Sequence, residues 1–387
     1  MSSFKGLFIF CFFCFILLLL SELIVGRLRP QMTFSQAVKY SMDCHENDEL
    51  LPFSLRKAHK CKMINYFGDF DTVALINSLG YRGKNIQIEK KEGVKRILVL
   101  GDSITFGIGV KDGDTYPEIL EKVLKEKTRD NIEVINAGYA DSFSPDSFLV
   151  YLKNRGLELK PDIIILGFFV WNDITDLSET VWDKQDHNGL PQQISSCCRV
   201  VDQGQLRSKK SEFKYQYPIL RESHLFIWLV DVLKNRFGIF KPPENVVVKR
   251  DRYQGCILDP GCIDNFRLEE EKTFKVMKAI KDIAQQNSII FRVVLFPVDY
   301  QLYPEMGQKY GSTLYPPSDN KDFVQKRIGE KLNTLGISYL DLYPVYDTQR
   351  NKGYPFFTHD AHLNSLGHQI AGEEIAAYLL DQKVFSK

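Results

Sequence analysis

A serine just past a buried strand, and an aspartate and histidine two residues apart near the carboxyl end, are the residues of this 387-residue chain that could do nucleophilic chemistry. The apolar run Ile97-Leu-Val-Leu100 stops at Gly101-Asp102 and sets Ser103 beyond a strand end, which is where ligands collect in open parallel sheets. A serine nucleophile needs a base to take its proton, a group that orients the base, and donors for the oxyanion that develops. His362 supplies an imidazole, and Asp360 supplies a carboxylate close enough in sequence to share its loop. Together they give a triad in the chain order Ser, Asp, His, and such triads are recognised by role rather than order. The plainer reading makes Gly101-Asp-Ser103 a strand-to-helix turn with a capping serine, and makes His362 and His368 residues that line the last helix.

These residues must be placed by strands and helices, and the hydrophobic pattern supplies both in alternation. After the serine, Tyr116-Pro117-Glu118-Ile119-Leu120-Glu121-Lys122-Val123-Leu124 has helical spacing with Pro117 in its first turn, as suits an N-terminal proline. Strands are predicted at Ile132–Ile135, Ile163–Phe169, Ile289–Phe296 and Ile337–Leu342, with helices over Pro145–Asn154, Leu268–Gln286, Lys321–Leu335 and Ser365–Leu380. That rhythm predicts an α/β fold, a three-layer sandwich around a central five-stranded parallel sheet. From Thr175 to Asn265 the rhythm fails, and the stretch reads as a cap-like insertion. Within it Leu220–Phe237 is amphipathic and reads as a cap helix beside the active-site mouth, with an interfacial membrane helix as the sharper alternative. Residues 30–95 read as a cap or stalk connection, and residues 96–387 as the main domain.

The string Gly101-Asp102-Ser103-x-Thr105-x-Gly107 resembles the first block of the SGNH (GDSL-type) esterase and lipase superfamily, in its cell-envelope branch. Asn77-Ser-Leu-Gly-Tyr-Arg82 is similar to a segment that precedes the serine block in bacterial envelope members, where Arg82 is either a structural ion pair or a substrate contact. The resemblance implies a flavodoxin-like SGNH hydrolase fold, with the oxyanion held by the backbone N–H of Ser103, that of Gly138 in Asn136-Ala-Gly138, and the side chain of Asn172. The third block departs from the family, because Val170 stands where Gly-x-Asn-Asp is expected. Many lipolytic members carry Asp-x-x-His. Here Asp360-x-His362 resembles proteins of exopolysaccharide acetylation, and His359 occupies the position three before His362. The resemblance therefore implies a serine esterase or O-acyltransferase acting on an acylated carbohydrate, with no cofactor and no metal. The competing readings are an inactive glycan-binding relative, a scaffold, and a lipase or thioesterase.

Fifty basic and forty-nine acidic residues leave a net charge of +1, which gives nucleic acid no compositional support as a partner. A metal hydrolase lacks a clustered ligand set, and a dinucleotide enzyme would need Gly-x-Gly-x-x-Gly. Leu7 to Val25 is apolar except for Glu22, about the length that spans a hydrocarbon core as a helix. It lacks a small-x-small cleavage signature and reads as an uncleaved signal anchor over residues 1–29, with the amino end cytoplasmic and the catalytic domain outside. Six of the eight cysteines lie beyond it, an even number that suits an oxidising compartment. Cys44 with Cys61 and Cys256 with Cys262 are candidate bridges, the second favoured for its short loop. The neighbours Cys197 and Cys198 are of a kind that rarely bonds to each other, because the geometry is strained, and the connectivity stays open.

Overall fold

The computed structural model describes residues 2–141, 143–209, 212–237, 258, 260, 263–309 and 320–385. By contact the chain forms two units, residues 1–41 with 207–248, and residues 42–206 with 249–387. The elements used below are α1 (Ser2–Leu28), β1 (His59–Ile64), β2 (Asp71–Ile76), β3 (Val94–Gly101), α2 (Tyr116–Lys127), β4 (Asn131–Gly138), α3 (Pro145–Tyr151) and β5 (Ile163–Phe169). They continue as β6 (Thr180–Gln185), β7 (Pro191–Ser196), α4 (His224–Phe237), α5 (Arg267–Gln286), β8 (Ile290–Phe296), α6 (Phe323–Thr334), β9 (Tyr339–Asp341) and α7 (Ser365–Asp381).

The larger unit is built on a five-stranded parallel sheet in the order β9-β8-β5-β3-β4. Its residues are apolar on both faces because helices cover both, so every residue of β5 is buried. Numbered along the chain, the sheet order is 2-1-3-4-5, the flavodoxin-like arrangement whose ligand crevice opens between the first and third strands. Here those are β3 and β5, and β3 is the strand that ends at Gly101-Asp102-Ser103. On the helix layers α2 packs against α7, and α3 against α5.

Contacts group residues 42–95, read from the sequence as part of a cap or stalk connection, in the same unit as the sheet. The reason is a set of polar ties. The β1–β2 hairpin donates Thr72 Oγ1 to Gly109 O at 3.1 Å and Leu75 N to Asp112 Oδ2 at 3.1 Å. Arg82, 3% exposed, gives Nε to Asp112 Oδ1 at 3.0 Å, and its two terminal nitrogens donate to the carbonyls of Phe106, Gly107 and Val110. A buried guanidinium with four of its five N–H donors taken by the loop after Ser103 is placed as a structural tie, which favours that reading of Arg82. Inside the expected insertion, β6 and β7 form an antiparallel hairpin.

Cys44 is bonded to Cys61. Cys197 is bonded to Cys198, against expectation. The two sit in a bend at the end of β7, so their side chains are not sent to opposite faces as in an extended strand. Cys256 and Cys262 lie outside the described residues, and Cys11 and Cys14 are free. Two disulfides hold four of the eight cysteines. Thiol titration of unreduced, denatured protein is therefore expected to find at most four reactive groups, and a fifth would show that one of these bonds is absent.

Candidate active site

Ser103 opens a short helix at the end of β3, and Asp102 caps it by accepting from Ile104 N at 2.9 Å. The cap turns the chain away from the strand while the serine stays at its tip. The loop that carries Asp360 and His362 arrives from the far end of the sequence and is pinned before α7. Phe357 N donates to His362 O at 3.0 Å, and Asn364 Nδ2 donates to the carbonyls of Tyr354 and Phe356 at 2.8 and 2.7 Å. Asn364 also caps α7 by accepting from Gly367 N at 3.1 Å. Held this way, His362 Nε2 lies 2.9 Å from Ser103 Oγ, and its Nδ1 is tightly paired with Asp360 Oδ1 on the other side of the ring. Asp360 Oδ1 also accepts from His362 N at 3.0 Å.

Two effects compete at each member of this pair. Burial pulls the His362 imidazolium down, but the charge and hydrogen bond of Asp360 outweigh it and raise the pKa above the ordinary 6.5. Burial pushes the Asp360 carboxyl up, and His362 with the adjacent Asn65 brings it below the ordinary 3.8. The other two histidines of this region face elsewhere. His359 is fastened to Asp69 through its backbone N at 2.7 Å and Nδ1 at 2.9 Å, and stacks on Phe67 at 5.1 Å. His368 is buried and accepts from Tyr116 N through Nδ1 at 3.2 Å; burial holds its pKa down to about 3, so it is a neutral packing group.

Of the expected oxyanion donors, two already have partners. Gly138 ends β4 beside Gly101. It must be glycine, because a Cβ there would meet Phe106 N at 2.2 Å. Its N–H donates to Asn136 Oδ1 at 3.0 Å. Asn172 gives Nδ2 to Asp176 Oδ2 at 2.8 Å and also hydrogen-bonds Asp102, while its Oδ1 is buried without a partner. Val170 is buried in the turn that carries Asn172, and its φ is not positive, so the turn does not require a glycine at that position. The turn closes through Asp173 N to Phe169 O at 3.2 Å and Phe169 N to Asp173 Oδ2 at 2.9 Å.

Below the serine lies a group of carboxyls that the sequence does not announce. Asp102 and Asp173 are buried, each with one oxygen lacking a partner. Burial raises Asp102 to about 6, and burial with the charge of Asp102 raises Asp173 well above the ordinary range. Two such carboxyls cannot both ionise cheaply. Arg199, next to the Cys197–Cys198 bond, donates to Asp141 at 2.6 Å and pairs with Glu179 at 3.4 Å. It thereby ties the segment after Gly138 to the segment after Asn172. Only the three-dimensional path shows this, since neither partner is near Arg199 in sequence. Among the described residues no group of His, Cys, Asp and Glu could hold a metal ion.

No family model and no curated protein matches the chain. Among solved structures it is similar to a lipase/acylhydrolase from Enterococcus faecalis, at 14% identity, with 74% of this chain and 96% of that chain covered and a TM-score of 0.38. It is also similar to an acetyl xylan esterase, at 14% identity, 73% and 99% coverage and a TM-score of 0.37. A third likeness is to a GDSL-like lipase from Bacteroides thetaiotaomicron, at 11% identity, 74% and 89% coverage and a TM-score of 0.36. Scores this low leave the functional reading to rest on the site's own geometry.

Proposed function

We propose that the chain is a membrane-anchored serine esterase or O-acyltransferase of the SGNH type, acting on O-acyl groups of a carbohydrate outside the cytoplasm. The observation that carries this is the line Ser103 Oγ, His362 Nε2, His362 Nδ1, Asp360 Oδ1 at the crevice between β3 and β5. In this reading Ser103 attacks the ester carbonyl while His362 takes its proton at Nε2, and Asp360 fixes the tautomer and steadies the imidazolium. His362 returns the proton to the departing sugar oxygen. Water, or a second sugar hydroxyl, then gives its proton to the same nitrogen as it attacks the acyl-serine, and the acyl–Oγ bond breaks as His362 returns that proton to Ser103. The carbohydrate class rests on the Asp360-x-His362 form of the last block. The anchor rests on Lys5–Leu28, 24 residues long and apolar enough to cross a bilayer.

A second reading, a glycan-binding relative without turnover, is favoured by one observation: Gly138 N–H and the Asn172 amide are already engaged by protein oxygens. The two separate in one experiment. Detergent-solubilised full-length protein is incubated with sucrose octaacetate and with 4-nitrophenyl acetate, and acetate release is compared with that of Ser103→Ala. Serine-dependent release from both esters is expected. Sugar binding without release in the folded protein would establish the second reading.

A further inference from the structure

Glu22, the one charge inside the apolar run, has a use that the catalytic reading does not touch. Its Oε1 accepts from His224 N at 2.7 Å, and its Oε2 accepts from Leu225 N at 2.9 Å and from Ser223 Oγ at 2.6 Å. Ser223 Oγ in turn accepts from Phe226 N at 3.1 Å. These are the amides that begin α4, donors a helix cannot satisfy by itself, and a carboxylate there also suits the positive end of the helix dipole. A residue of α1 thus caps a helix two hundred positions later in the chain. Other ties hold the same junction. His224 Nδ1 accepts from Gln31 N at 2.9 Å, Tyr215 Oη donates to Met32 O at 2.9 Å, and the Arg221 guanidinium lies 4.0 Å from the ring centre of Phe34. His224 also crowds Gly26, where a Cβ would meet its ring at 3.1 Å.

The cap fixes a depth. Glu22 is three residues before the end of the apolar run at Val25, about 4.5 Å of helix rise. With α1 across the bilayer, that is the level where acyl chains meet headgroups, so α4 starts at the membrane surface. Its sequence suits that position. Ile227 and Val230 are buried on one side, while Leu229 is 42% exposed, and just ahead of the helix Ile219 is 88% exposed and Leu220 41%. Lys234 and Arg236 stand in its last turn. Ile219 and Leu220 are adjacent exposed apolar side chains just ahead of the helix, and an amphipathic helix that starts at the headgroup level is covered by lipid.

We propose that residues 217–237 form an interfacial arm, lying in the bilayer surface where α1 emerges, with Ile219, Leu220 and Leu229 in the lipid. The proposal rests on the anchor reading of α1. Its partner is a phospholipid surface. Held by Glu22, the arm gives the anchor a second attachment at a fixed depth.

The test uses the full chain reconstituted in phosphatidylcholine–phosphatidylglycerol vesicles that contain lipids brominated either near the headgroup or near the bilayer centre. Trp171 and Trp182 are present in every sample, so the emission lost in Trp228→Phe is that of Trp228, the tryptophan of α4. Trp228→Tyr gives the same subtraction should the first variant not accumulate. Shallow bromines are expected to lower the Trp228 emission about twofold and deep ones less, as the burial depth of interfacial helices requires. Glu22→Ala should reduce the shallow quenching. Equal emission with and without bromine would overturn the proposal in favour of a protein-facing or aqueous helix, and stronger quenching by deep bromines would overturn it in favour of a spanning one. An alkaline carbonate wash separates the premises. A chain released by the wash fails the anchor reading and the arm with it, whereas a retained chain with unquenched Trp228 fails the arm alone.

Discussion

Replacing His362 by alanine is expected to lower ester turnover by about 10⁴–10⁶, as far as Ser103→Ala lowers it, because nucleophile and base act as one unit. The serine hydroxyl is a weak nucleophile until Nε2, 2.9 Å away, takes its proton. His359→Ala is the control, since that ring is turned to Asp69 and Phe67 and reaches no reacting atom. Steady-state kinetics on one chromogenic ester with the three variants makes the comparison. A loss for His359→Ala equal to that for His362→Ala would mean that the wrong imidazole has been placed beside the serine.

Asp360→Asn is expected to cost about 10⁴ in kcat, because an amide opposite Nδ1 no longer holds the tautomer that leaves Nε2 free to accept. It also carries a signature in pH. The base works only when neutral, and Asp360 keeps the imidazole pKa above 6.5, so the acid limb of kcat/KM in the wild type should fall above that value. Without the carboxylate, burial is the largest remaining influence and lowers the pKa, so the limb should move to lower pH. The same shift bears on stability. His362, with its folded pKa raised, stabilises the fold fully below 6.5 and loses that contribution as pH rises through the raised value. Asp360, with its pKa lowered, contributes above 3.8 and loses that contribution as pH falls through the lowered value. A pH–rate profile of Asp360→Asn with an unmoved acid limb would remove the carboxylate from its place beside His362.

How far the sequence could be read differs from element to element, and the reasons are physical. Ile163–Phe169 is predicted and observed with the same ends, because a strand buried on both faces is a continuous apolar run with sharp boundaries. The expected strand Ile337–Leu342 shrinks to Tyr339–Asp341, since an edge strand has only one neighbour to pair with and its ends need not be in the ladder. Helix Pro145–Asn154 is shorter than its apolar pattern, giving way at Leu152 to a wider turn. Ser103, Asp360 and His362 could be named because each is a reactive side chain next to a legible strand or helix end. Asp69 holding His359, or Arg199 holding Asp141 and Glu179, could not be. Those pairs lie 290, 58 and 20 positions apart, and no local periodicity encodes a long-range polar tie. The same holds for Glu22, which in sequence is only an oddity in an apolar helix and in space is the cap of α4.

In the proposed reaction Ser103 is an activated nucleophile, and the occupied amides of Gly138 and Asn172 do not prevent its attack. The most direct test is covalent labelling of the folded, detergent-solubilised chain with a serine-directed fluorophosphonate, followed by peptide mass spectrometry. One adduct is expected, on Ser103, with the rate of labelling falling steeply in His362→Ala and little in His359→Ala. Folded protein that remains unlabelled at Ser103, or that carries the adduct on another residue, would show that Ser103 is not the nucleophile.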